Sequence, residues 1–150
     1  MKEACAVVLA AGKGTRMKSD LPKVLCPVVG RPMIHFVLDA LEKAGIHRHI
    51  VVVGHEAEMV EAEVKTRAGQ TDFVLQSPQL GTGHAVQICR DVLAEQQGPT
   101  IVVAGDSPLI QPSVSLNFWS ISNKPSQHYC WERWKSGSNR SGPNCPRSGR

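Results

Sequence analysis

Cys5-Ala6-Val7-Val8-Leu9-Ala10-Ala11-Gly12-Lys13-Gly14-Thr15-Arg16-Met17, closed by Leu21-Pro22-Lys23, decides how this chain is read. The run from Ala4 to Leu9 is continuously apolar, the pattern of a strand buried on both faces. The chain then turns abruptly to small and basic residues. Gly12 and Gly14 let the backbone approach a ligand with no Cβ in the way, and their N–H groups can form a concave nest for an anion. Lys13, Arg16, Lys18 and Lys23 put positive charge around that nest. The combination asks for a phosphate-bearing ligand. On spacing alone, a glycine-bearing turn with solvated lysines stays open as the plainer reading.

Two other phosphate motifs fail on inspection. A P-loop needs four residues between its first Gly and a Gly-Lys-Ser/Thr, which is absent here. The dinucleotide fingerprint needs a small residue three positions after its second Gly, and Met17 stands there.

Working outward, Cys5 to Ala10 is the first predicted strand and residues 11–31 a long loop, of the kind that is usually functional. Pro32 opens a helix whose apolar face is Ile34, Val37, Leu38 and Leu41, and Gly45 ends it in a left-handed cap. Ile50 to Val53 is the second strand. A helix from about 57 to 66 follows, with Glu56, Glu58, Glu61 and Glu63 concentrated in its first turns, where the macrodipole favours them. Asp72 to Leu75 is a short third strand. A helix from about 82 to 96 carries the stripe Ala85, Ile88, Cys89, Val92 and Leu93, and Thr100 to Ala104 is the fourth strand. Such alternation predicts right-handed crossovers and a parallel sheet. In the order 3-2-1-4 the switch point lies between strands one and four, and ligands sit beyond the carboxyl ends there. The first glycine loop, Asp106 after strand four and the loop Gln76 to Gly83 then converge on one mouth.

Asp106, in Gly105-Asp106-Ser107-Pro108-Leu109, reads as a magnesium ligand, because Mg2+ prefers one or two carboxylates plus substrate phosphates and water. The plainer reading is a turn aspartate bonding its own backbone. In Gln76-Ser77-Pro78-Gln79-Leu80-Gly81-Thr82-Gly83-His84-Ala85, Gln76 and Gln79 each offer a donor and an acceptor, the complement of a uracil edge. The exposed N–H groups of Gly81 and Thr82 suit a phosphate; alternatively Thr82 simply caps the following helix. His55 and His84 lie at loop edges and are expected to act as structural hydrogen-bond donors rather than catalysts. No Ser-His-Asp or Cys-His set offers a covalent nucleophile.

The length fits about one domain with a sizeable core. Five cysteines without C-x-x-C spacing argue against a disulfide framework or zinc site and for a reduced, cytoplasmic setting. The N-terminus does not resemble a signal peptide, and its apolar run is too short to span a bilayer. Residues 1–110 hold 11 Lys+Arg against 12 Asp+Glu, whereas residues 111–150 hold 6 against the single Glu132. The basic balance therefore belongs to the last forty residues, which speaks against a nucleic-acid-binding front.

The first glycine loop with Pro22-Lys23 resembles the signature loop of sugar-1-phosphate nucleotidyltransferases. The segment Gln76 to Ala85 resembles the uridine-reading segment of the bacterial N-acetylglucosamine-1-phosphate uridylyltransferases. The resemblance implies a Rossmann-like three-layer nucleotidyltransferase fold with a parallel sheet, here incomplete, and transfer of UMP from UTP to N-acetylglucosamine 1-phosphate with release of pyrophosphate. It implies that Leu9, Ala10, Ala11, Gly12, Lys13, Gly14, Gln76, Gln79, Gly81 and Thr82 bind the nucleotide. Arg16 and Lys23 would be catalytic and Asp106 would hold Mg2+. Neither nucleic acid nor a membrane is an expected partner. A non-catalytic UTP-magnesium-binding fragment, or a cytidylyl- or molybdenum-cofactor-type transferase, is the alternative.

The resemblance covers roughly residues 4–112. Residues 111–150 contain 10 hydrophobic residues of 40, against 52 of 110 before, with nine serines and no helical or alternating period. Two domains of different character are therefore expected: 1–110, the front half of a nucleotidyltransferase domain, and 111–150, a basic tail of low order. A shifted reading frame near codon 112 is the expected origin of that tail, and a genuine divergent tail the alternative.

Overall fold

The computed structural model describes residues 3–13, 21–67 and 69–112. Its centre is a parallel four-stranded sheet: β1 (Cys5–Leu9), β4 (Arg48–Val53), β5 (Gln70–Leu75) and β6 (Thr100–Ala104), in the order β5-β4-β1-β6. This is the 3-2-1-4 order on which the convergence of the three loops depends, with β1 and β6 adjacent at the switch point. Val8 lies opposite Val51 on one side and Val103 on the other. Cys5, Ala6, Val7 and Val8 are wholly inaccessible, as their uninterrupted apolar run requires of a strand covered on both faces.

Period-two alternation divides β1 between two cores. Ala4, Ala6, Val8 and Ala10 pack with Ile34, Val37, Leu38 and Leu41 of α1 (Met33–Lys43) and with Val60 and Val64 of α2 (Ala57–Lys65). Cys5 and Val7 pack on the opposite face with Ala85, Cys89 and Leu93, from α3 (Thr82–Gln87), the turn after it and α4 (Arg90–Leu93). The three layers make a Rossmann-like α/β arrangement. Burial pushes the Cys5 and Cys89 thiols up to about 11, the direction desolvation drives a group that ionises to an anion. Among the described residues no helix is long and apolar enough to cross a membrane.

Four local readings change. The long loop contains a 3-10 turn at Lys23–Leu25 and a hairpin of β2 (Pro27–Val28) and β3 (Arg31–Pro32). Pro32 pairs with Pro27 at ψ 137°, so it precedes α1 rather than opening it. The helix expected over 82–96 is two pieces, because Cys89 sits at ψ 0° and bonds Val86 O at 3.1 Å. The spacing Ala85, Cys89, Leu93 keeps one face apolar across the break. Gly81, at φ +95°, caps α3, and Thr82 is its first helical residue rather than the cap.

The end of α1 follows the sequence reading. Gly45 adopts φ +78°, its N–H donates to Glu42 O at 2.9 Å, and that of Ile46 donates to Leu41 O at 3.0 Å. This is a Schellman cap, closed by burial of Ile46 beside Leu41. Asp39 of α1 accepts hydrogen bonds from Arg31 at 2.6 Å and pairs with Arg67 at 2.8 Å, tying the hairpin to the helices. Burial alone would raise the Asp39 pKa, but the two guanidinium groups outweigh it and hold the carboxyl below its usual range.

Candidate functional site

A cavity of about 360 Å³ opens at the carboxyl ends of β1 and β6. Leu9, Ala11, Gly12, Lys23, Gln76, Gln79, Gly81, Thr82 and Asp106 line it, with Val24, Ala85 and Ala104 completing the wall. Three segments separated by dozens of residues thus meet where the switch-point argument puts them.

Short backbone ties hold the mouth. Ala10 N–H donates to Val52 O at 2.8 Å, and Gly105 N–H donates to Leu9 O at 2.9 Å. A Cβ on Gly105 would stand 3.0 Å from that same oxygen and 3.1 Å from Val24 Cγ1, so glycine lets the chain leave β6 this close to β1 without crowding either neighbour. The next residue, Asp106, is thereby delivered to the cavity. Lys23 arrives from the other side. Val24 and Leu25 are buried and the 3-10 turn closes with Leu25 N–H to Pro22 O at 2.8 Å, so the lysine between Pro22 and this anchor projects inward. Its ammonium forms an ion pair with the Asp106 carboxylate.

The opposite wall is neutral. Gln79 donates from Nε2 to Ala11 O at 2.7 Å, tying the second loop to the first. Gln76, 5% exposed, donates from Nε2 to Gly81 O at 2.9 Å, and the same nitrogen lies 3.2 Å from His84 Nδ1. An amide nitrogen only donates, so His84 accepts here, the reverse of the donor role expected from sequence.

Not every expected residue faces the cavity. Ala10 turns its side chain into the core beneath α1, leaving only its backbone near the mouth. Lys13 is exposed and does not line the cavity. Gly14 and Arg16 lie outside the described residues, as does the segment 113–150 on which the reading-frame expectation falls. Gly54, in turn, does not line the cavity but packs against two residues that do, a role that motif reading passed over. A Cβ there would stand 2.7 Å from Gln79 Nε2 and 2.8 Å from Ala11 Cβ. The signal was present, a glycine directly after an apolar strand, but its neighbours are remote in sequence.

Among the described residues no cluster of three or more His, Cys, Asp or Glu could hold a metal on its own. A single carboxylate lining a cavity of this size does fit Mg2+ or a similar hard cation, which completes its shell with phosphate oxygens and water. The chemistry available is therefore a cation and a carboxylate facing a neutral, directional hydrogen-bonding wall.

A family model described as MobA-like NTP transferase domain matches residues 6–139. A curated relative from Exiguobacterium sibiricum, named bifunctional protein GlmU, is 54% identical over 105 residues, which make up 70% of this chain and 23% of that protein. The chain spans under a quarter of the length of such relatives. A nucleotidyl transferase from Methanothermobacter superposes with a TM-score of 0.68 at 27% identity, covering 80% of this chain and 58% of that one. A Mycobacterium tuberculosis protein in complex with manganese shares the fold at a TM-score of 0.64 and 22% identity, covering 80% and 59%.

Proposed function

This chain belongs to the MobA-like NTP transferase family, and from that premise we propose that it transfers UMP from UTP to N-acetylglucosamine 1-phosphate, releasing pyrophosphate. The observation that carries the proposal is the meeting of Lys23, Asp106 and the Gln76–Thr82 loop at one cavity. The likeness to bifunctional protein GlmU supports the choice of uridine and amino sugar. The setting is cytoplasmic, and neither nucleic acid nor membrane takes part.

The reaction needs no side-chain nucleophile. A phosphate oxygen of the sugar phosphate attacks the α-phosphorus of UTP in line, the bond to the β-phosphate oxygen breaks, and pyrophosphate leaves. Such transfer is positioning plus charge neutralisation. Lys23 orients and neutralises the attacking phosphate. Arg16 and Lys13 hold the departing phosphates. Leu9 through Gly14 cradle the triphosphate with backbone, and Gln76, Gln79, Gly81 and Thr82 read the base. Asp106 is the protein ligand for a divalent cation, Mg2+ by preference, which when bound neutralises phosphate charge. In the structure the carboxylate instead faces the Lys23 ammonium. The lysine side chain is 42% exposed, so it can turn from Asp106 to a phosphate.

Residues 1–110 supply this nucleotide half of the domain, and residues 111–150 form a segment of different character. Resequencing the coding DNA across codons 105–120 tests that division. Pyrophosphate release from UTP, N-acetylglucosamine 1-phosphate and Mg2+ tests the activity. Turnover that requires all three supports the reaction. Binding of UTP without turnover reduces the chain to a nucleotide-binding fragment, and turnover of CTP or GTP but not UTP replaces the substrate.

A further inference from the structure

We propose that His84 is a positioning residue that makes the Gln76 carboxamide an acceptor-only probe of the nucleobase, and thereby sets the preference for a uracil ring over a cytosine ring. The proposal rests on the uridine reading given above.

Gln76 follows β5 directly, and its backbone N–H donates to Val53 O at 2.7 Å, so the start of its side chain is fixed by the sheet. The side chain is buried yet lines the cavity. A carboxamide has two donors on nitrogen and an acceptor oxygen. Gly81 O takes one N–H at 2.9 Å, and His84 Nδ1, 3.2 Å away, takes the other. That assignment requires a bare Nδ1, hence the imidazole proton on Nε2. Gly81 O is itself held, because it also accepts from Ala85 N–H at 3.1 Å at the first turn of α3. Ala85 is 3% exposed and anchors that turn in the core. His84, its neighbour in the same turn, is placed by the same anchor.

With both N–H groups spent, Gln76 can offer a ligand only Oε1. An acceptor suits the ring N3–H of uracil. Against cytosine it meets the unprotonated N3, acceptor facing acceptor, and a buried unmatched pair of this kind is costly. Without an acceptor at position 84, one N–H of Gln76 becomes free. The carboxamide can then present either character, and discrimination narrows. Gly81 O alone cannot prevent this, since it occupies only one of the two donors.

The test compares His84→Phe, which removes the acceptor, with His84→Asn, whose Oδ1 stands in the position of Nδ1. Two readouts are taken on the full-length chain. One is calorimetric titration with UTP and with CTP in Mg2+. The other is the pair of Gln76 side-chain amide protons and the His84 ring nitrogens by NMR without nucleotide. In the wild-type protein both amide protons are protected and Nδ1 is the unprotonated nitrogen; the opposite tautomer overturns the proposal even if no variant folds. His84→Phe exposes one amide proton and lowers the UTP-to-CTP preference by about tenfold, and His84→Asn restores both. An unchanged preference together with two protected amide protons in His84→Phe overturns the assignment. If the wild-type protein itself binds UTP no better than CTP, the uridine reading fails separately, and the amide protons alone still decide what His84 does.

Discussion

The two walls of the cavity are built from different chemistry. One is charged and open: the Lys23 and Asp106 side chains are 42% and 29% exposed and meet as an ion pair. The other is neutral and held by hydrogen bonds: Gln76 is buried, and the exposed Gln79 is tied to Ala11 O at 2.7 Å. Charges act at range and tolerate movement, so an exposed pair can exchange partners as phosphates arrive. Neutral hydrogen bonds discriminate only when geometry is fixed, so the wall that reads a base must be rigid before the ligand comes. The contrast separates rate from selectivity.

Breaking the charged wall has the largest expected effect. Lys23→Ala should lower pyrophosphate release by about 10²-fold or more, while the thermal midpoint stays near that of the parent, because an exposed ion pair contributes little to folding. Near-normal turnover in that variant removes Lys23 from the reaction. Next in size is Gly54→Val, which forces a side chain between Gln79 and Ala11. We expect a loss of about 2 kcal/mol of stability in urea denaturation, with weakened UTP binding because the neutral wall is displaced. A variant that keeps both would show that the tie between the loops is not what makes that wall rigid.

The sheet beneath both walls should respond to acid. His49 is buried, which lowers its pKa below the usual 6.5, although its ring Nε2 donates to Ile46 O at 2.9 Å. The unfolded chain then binds the proton more readily than the native one. The stability that neutral His49 contributes is therefore complete above about pH 6.5 and is lost as the pH falls below it. Urea midpoints should hold between pH 8 and 7 and decline at pH 6 and again at pH 5, and His49→Gln should flatten the decline. The smallest effect lies away from both walls. Val29, at φ +51° and 96% exposed, is a β-branched residue in a left-handed turn position beside Gly30. Val29→Asn should raise stability by about 0.5–1 kcal/mol with no change in nucleotide binding, which would mark the hairpin tip as independent of the cavity.

The parallel sheet was legible because it follows from strand-helix alternation and crossover handedness, rules that hold whatever the side chains are, whereas the strand order itself entered the sequence reading only as a condition. The charged wall was legible because Lys23 and Asp106 each sit in a short motif, Asp106 just past the end of β6 and Lys23 directly after Pro22. The neutral wall was only half legible. Gln76 and Gln79 announce themselves as amides, but the direction of each hydrogen bond depends on partners elsewhere, and His84 turned out to accept. Gly54 was not found because steric exclusion by Ala11 and Gln79 exists only after folding. The break at Cys89 was missed because an apolar stripe at helical spacing continues through it.

One consequence of the buried thiols concerns how this molecule can be timed. Cys5 lies on the central strand and Cys89 between the helices that cover it, both fully inaccessible, with ionisation pushed up to about 11. Only the thiolate reacts with an alkylating reagent, so in the native state both sulfurs are silent at neutral pH. Labelling read peptide by peptide becomes a clock: modification of Cys89 ahead of Cys5 records the helices lifting off a sheet that is still intact, and simultaneous modification records the opening of the whole structure.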